Sequence, residues 1–155
     1  MDTMRIAARV VALALGGFMG SSVFGAEYTA VMVNDIKWQE APTLAPGAKL
    51  AVIDGDPSAS GPFVMRIKLP PKSTVQLHTH PTTENVTILL GTLYFAASDT
   101  YDPKIAQAFG PGSYFSIAAG KPMFAYSTDG EVEFQIHGTG PWGITYVESK
   151  HPAKH

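Results

Sequence analysis

The residues best able to do chemistry sit in one stretch, His78-Thr79-His80-Pro81-Thr82-Thr83-Glu84, closed further on by Gly91. Strand side chains alternate between faces, so His78 and His80 point the same way and both rings can reach one point in space. Pro81 stops the strand from continuing as a regular ladder, and the Pro-Thr-Thr turn brings the chain back. Glu84 opens the next strand, Asn85 to Leu90, rich in β-branched and apolar residues. Two imidazoles and one carboxylate converging from adjacent strands make a metal site with open positions. That donor set suits one divalent transition metal: Fe, Mn, Ni, Zn or Cu. The competing reading is two surface histidines beside a loop carboxylate. Spacing, turn and following strand together favour the site.

The elements that must hold these residues read as strands. The chain has 155 residues, is 45% hydrophobic and 15% charged, and shows no repeat, which fits one domain with one packed core. Twelve prolines and fifteen glycines punctuate short segments, as many turns between many strands would require. Strands are expected at 27–33, 50–53, 63–69, 74–80, 85–90, 93–97, 114–117, 123–127, 132–137 and 144–147. Leu93 to Ala97 is expected to pair back on the preceding strand as a tight hairpin through Gly91-Thr92. Ser98 to Phe109 reads as a polar linker, since Pro103 argues against a long helix. With no credible helix after the first residues, the fold class is all-β, a sandwich or barrel. A small barrel leaves room inside for one small ligand, and the histidine-bearing strands would line that interior.

The first 26 residues differ in kind. Arg5 and Arg9 precede an apolar run, Val10 to Val23, and Val23-Phe24-Gly25-Ala26 offers a small-residue cleavage site. This is the pattern of an export signal, and the run is short for a membrane-spanning helix. Residues 1–26 are therefore expected to be removed, leaving 27–155 as the mature domain, with 148–155 a frayed tail, in the periplasm or outside the cell. No cysteine is present, so there is no disulfide scaffold. The formal charge of −2 is not basic enough for nucleic acid or an anionic membrane surface. The expected partner is a small molecule, with no membrane contact after signal cleavage.

The spacing from His78 through His80 and Glu84 to Gly91 resembles the first motif of the cupin superfamily. The family's leading glycine falls at Lys72. In the second motif Gly112 and Gly120 match, while the proline falls at Ala118, the last ligand histidine at Met123 and the asparagine at Ser127. Gly55-Asp56-Pro57 and Gly138-Thr139-Gly140-Pro141-Trp142-Gly143 look like a group of small, often exported bacterial cupins. The resemblance implies a jelly-roll-like antiparallel β-barrel in a single domain, a metal held by His78, His80 and Glu84, and pairing of copies through sheet edges as a homodimer.

Met123 at a ligand position leaves three readings. The site is a three-ligand set with an extra open position, Met123 packing beside it. Or Met123 is a soft thioether ligand that favours copper. Or metal binding is lost and the pocket holds something else. Methionine is most often a core gap-filler, which places the first reading ahead of the second. Other pocket candidates are Gln135, Tyr126 and His137. In the strand from Val132, Glu133, Gln135 and His137 share one face. That face either looks at solvent or lines the pocket mouth, where His137 can move a proton. Trp142 is expected to anchor the last turn.

Two functions follow as expectations. The first is an exported metal-dependent enzyme on a small organic substrate, dioxygenase-like or an isomerase or lyase. The second is a non-catalytic module that binds or senses a metal, copper included, or a small ligand. A proton-moving group near the metal discriminates between them.

Overall fold

The computed structural model describes residues 28–148. The segment expected to be an export signal, residues 1–26, and the tail beyond Glu148 lie outside the described residues. Eleven strands form among those described: β1 Gln39–Glu40, β2 Lys49–Gly55, β3 Gly61–Leu69, β4 Thr74–Thr79, β5 Glu84–Leu90, β6 Leu93–Ala97, β7 Gln107–Phe109, β8 Tyr114–Ile117, β9 Met123–Tyr126, β10 Val132–Gly140 and β11 Thr145–Tyr146. They make two antiparallel sheets, a larger one in the order β1-β2-β3-β10-β5-β8 and a smaller one in the order β11-β4-β9-β6-β7. The all-β, jelly-roll-like single domain is therefore present. Among the described residues no helix is long and apolar enough to cross a membrane.

The larger sheet follows simple alternation. In β3, Phe63, Met65, Ile67 and Leu69 are buried, and in β10, Val132, Phe134 and Ile136 are buried opposite them. These side chains face the smaller sheet and join Val86, Ile88, Leu93 and Ala125 in the main core. Fully burying one such side chain stabilises by roughly 1.5–3 kcal/mol, so the inward row of β3 and β10 carries much of the fold.

Three expectations change. No strand forms at 28–33; residues Val33–Asp35 make a 3-10 turn in which the Asp35 N–H bonds the Met32 carbonyl. β5 and β6 do not form a hairpin, since they belong to different sheets. Gly91 makes that crossing possible: its φ is 72°, and a Cβ there would lie 2.2 Å from the Glu131 carbonyl oxygen. Only glycine takes that backbone shape and that approach together. The 98–109 stretch is more than a linker, because Gln107–Phe109 pairs with β6 as β7. The stretch also covers the outer face of the smaller sheet, where Tyr101 packs on Phe124 at 4.7 Å beside Leu77 and Ala96.

The departures from the motif pattern also find structural explanations. Lys72 has φ 59°, the left-handed conformation that a glycine would adopt without cost, and its N–H bonds the Thr128 carbonyl. Ser127 is buried; its hydroxyl accepts from the Ser73 N–H at 3.0 Å and donates to the Pro70 carbonyl at 2.6 Å. It thereby ties the end of β9 to the turn before β4.

Candidate functional site

His78 and His80 come from β4 and the residue after it; Glu84 opens β5. Because those strands lie in different sheets, the Pro81-Thr82-Thr83 turn spans the gap between the sheets. The three side chains thus meet across the interior, rather than along one ladder. The pairing of β4 with β9 also shifts register between Val75 and His78. Strict alternation would separate Val75 from the histidines; the irregularity lets Val75, His78 and His80 all line one cavity. Gly120, at φ 72°, holds the far end by donating its N–H to the His80 carbonyl at 2.8 Å.

The cavity has a volume of about 40 Å³. His78, His80, Glu84 and Met123 all line it, and the rest of the wall is apolar. All four are buried, Met123 with 3% of its surface exposed. Met123 stands directly across from His78 in the strand register.

Each imidazole is fixed by its Nδ1. His78 Nδ1 lies 2.6 Å from the Gln76 carbonyl oxygen and His80 Nδ1 lies 2.6 Å from that of Gly143. A carbonyl only accepts, so both Nδ1 atoms carry the proton and donate. This leaves both Nε2 atoms for other partners, the orientation that metal-binding imidazoles commonly take. His80 Nε2 lies 2.9 Å from Glu84 Oε2. Since His80 Nδ1–H is already spent, a neutral ring would present a lone pair to a carboxylate. Something positive must lie between them, a proton or a cation. Two ligands about 2.1 Å from one ion and roughly 90° apart would be about 3 Å from each other, so this pair fits a shared metal as it stands. Among the described residues, no three His, Cys, Asp or Glu side chains already stand as a metal-holding group. His78 is set apart electrostatically: burial pushes its pKa down to about 4, the Gln76 carbonyl opposing and His80 adding to the fall. For His80, burial also pulls downward, but the hydrogen bond and charge of Glu84 and the Gly143 carbonyl outweigh it, and its pKa is raised.

Three expected pocket residues lie elsewhere. Alternation along β10 turns Phe134 and Ile136 into the cavity and Gln135 to the outer face, where its Oε1 accepts from Arg66 Nε at 3.1 Å. His137 is exposed and outside the cavity, and its carbonyl accepts from the Asn85 side chain. In β9, Met123 and Ala125 face inward, so Tyr126 faces out and stacks on Tyr94 at 4.9 Å. The pocket reading of Gln135, Tyr126 and His137 is corrected accordingly: the neighbouring residues take the inward face. Trp142, by contrast, lines the cavity and stacks on His80, with ring centroids 5.0 Å apart and planes at 23°. Its place two residues after a glycine-rich strand end offered no period from which that could be read.

A family model described as Cupin matches residues 57–141, more than half of the chain. The chain belongs to the cupin family. Among curated proteins none matches it. Solved cupin-fold structures similar to it include the polyketide cyclase RemF from Streptomyces resistomycificus, at 16% identity and TM-score 0.63, covering 78% of this chain and 87% of that one. A putative acetylacetone dioxygenase from Methylibium petroleiphilum matches at 17% identity and TM-score 0.61, covering 84% and 86%. A third match comes from the Rhodobacter sphaeroides complex of SigE with the anti-sigma ChrR, at 16% identity and TM-score 0.52, covering 70% and 51%. At these identities the likeness shows the cupin fold.

Proposed function

We propose that this cupin is an exported, metal-dependent enzyme that acts on a small organic substrate, by an oxidation, isomerisation or lyase reaction. The observation that carries the reading is the His80 Nε2–Glu84 Oε2 approach of 2.9 Å inside a buried, largely apolar cavity, with His80 Nδ1 already committed to Gly143. The pair needs a positive centre, and a divalent ion meets that need with the right spacing. His78 would join as the third ligand from the cavity that it already lines, and Met123 would act as wall or weak fourth ligand. A metal bound there would supply Lewis acidity or a coordination position for O₂. The protein's own share is to orient both imidazoles through Gln76 and Gly143, exclude bulk water with the apolar wall, and hold the carboxylate of Glu84 next to the reacting centre. The similar folds of a polyketide cyclase and a putative dioxygenase support an enzyme, although the fold alone hosts many functions.

One observation favours a second reading, a non-catalytic module that binds or senses a metal or small ligand. Gln135 and His137 lie outside the cavity, so among the described residues no side chain beyond the proposed ligands is placed to move a proton. A cupin-fold chain in the SigE–ChrR complex supports the same alternative.

The test is the metal content of the mature protein, purified untagged from its exported compartment, beside His80→Ala and Met123→His. One equivalent of iron, manganese, nickel or zinc, lost in His80→Ala and little changed in Met123→His, supports the three-ligand site. Copper that disappears with Met123→His supports the thioether site. No metal in any form sinks both. Substrate turnover that survives full metal removal rules out the metal-dependent enzyme.

A further inference from the structure

Trp142 has a feature that packing alone does not explain. Its indole Nε1 is buried and makes no hydrogen bond, although its ring lines the same cavity as His80 and Glu84. A buried donor without an acceptor is costly, and native structures retain few. Phenylalanine would give the same stack on His80 and the same apolar wall without an orphaned donor. The chain's other tryptophan, Trp38, lies on the outer face beneath the Lys68 ammonium, 4.6 Å from its ring centre, and meets no such conflict.

Size and charge narrow what the donor would meet. A volume of about 40 Å³ accommodates about three water-sized atoms, enough for an ion and the compact head of a ligand. Besides Glu84 and the two histidines, no ionisable side chain lines the cavity. On the metal reading proposed above, on which this inference rests, a divalent cation and one carboxylate leave a single positive charge. A monoanionic head would neutralise it, and an N–H donor stabilises an oxygen anion more than a neutral oxygen.

We propose that Trp142 is a positioning and specificity residue: its indole N–H donates to an oxygen of the ligand's compact monoanionic head, a carboxylate or enolate, beside His80 and Glu84. The substrate class is then small organic oxyanions. The stack holds the imidazole and the indole nearly parallel, at 23° and 5.0 Å between centroids, which fixes the indole beside His80.

The test uses formate as probe and the proton resonance of the indole N–H as readout, with Trp38→Phe assigning which of the two signals is which. In zinc-loaded protein, formate is expected to shift the Trp142 resonance and leave that of Trp38 in place, while neutral formamide shifts neither. Trp142→Phe is expected to bind zinc as the wild type does and to bind formate about ten- to a hundredfold more weakly by calorimetry. Equal formate affinity in Trp142→Phe, or a Trp142 resonance that formate does not move, overturns the proposal. An equal shift with formamide overturns the anionic head. If Trp142→Phe does not fold, the wild-type resonance decides alone. If zinc does not bind at all, the metal reading fails, and formate is titrated into the metal-free protein. A Trp142 signal that still moves keeps the indole's role, and one that stays put removes it.

Discussion

Two groups of paired charges behave in opposite ways: one on the outer face of the larger sheet, on β3 and β10, and one inside, between the end of β4 and the start of β5. On the outer face of the larger sheet, Arg66 and Lys68 meet Glu133 at 3.4 and 3.6 Å, with a quarter or so of each cation's side chain exposed. Inside, His80 meets Glu84 at 2.9 Å with 3% and 6% exposed. The outer network is solvated and screened, so each pair adds little. The inner pair has lost its water, and desolvation is recovered only while a positive partner stays in place. The outer charges therefore decorate a sheet, whereas the inner pair needs a proton or a cation between its two atoms.

His80→Ala, measured in metal-free protein by urea denaturation, is expected to cost about 3–5 kcal/mol, because it leaves Glu84 buried without a partner. A loss under 1 kcal/mol would mean that the inner pair is as weakly coupled as the outer one.

The next effect concerns pH. His78 has a folded pKa of about 4 against an ordinary 6.5. The unfolded chain thus binds its proton more readily between those values, and stability falls as pH drops from about 6.5 to about 4. The size is on the order of 3 kcal/mol at full effect. His80, with its raised pKa, works in the opposite sense: its contribution is complete below its unfolded value and fades as pH climbs through the folded one. Urea titrations of metal-free protein across this window should show the loss in wild type and a flatter profile in His78→Leu. Equal slopes would contradict the assignment.

Smaller effects belong to the surface. Lys72 forms an exposed pair with Asp129 at 4.0 Å while holding a left-handed backbone. Relief of that strain outweighs the lost pair, so Lys72→Gly should stabilise by up to about 1 kcal/mol, read as a rise in melting temperature. Glu133→Gln should cost less than about 1 kcal/mol, with the difference shrinking as salt is added. A cost as large as that of His80→Ala would erase the distinction between the two faces.

Much of the architecture is legible in the sequence. The spacing of His78, His80 and Glu84 predicts that the three side chains converge, and they do share a cavity. The strand expected at 63–69 forms within β3, with Phe63, Met65, Ile67 and Leu69 buried. What failed did so for identifiable reasons. Gln135, His137 and Tyr126 were ambiguous because period two specifies which residues share a face, but not which face turns inward. The β5–β6 hairpin was misread because Gly91 suits a tight turn and a sheet-to-sheet crossing equally well; contact with the Glu131 carbonyl distinguishes them, and it is remote in sequence. The place of Trp142 in the cavity is not legible in the sequence, because stacking on His80 is a contact across more than sixty positions, which no local pattern encodes.

The strand-rich class, most of the strand positions and the convergence of His78, His80 and Glu84 follow from the sequence alone, because these depend on side-chain chemistry and on periods of a few residues. Only the tertiary structure decided that the donors come from two different sheets, that β4 slips its register to aim Val75 and both histidines inward, and that an indole N–H is left over beside them. Those facts depend on which surfaces become dry when the sheets close on each other, and dryness is a property of the packed chain, not of any residue within it.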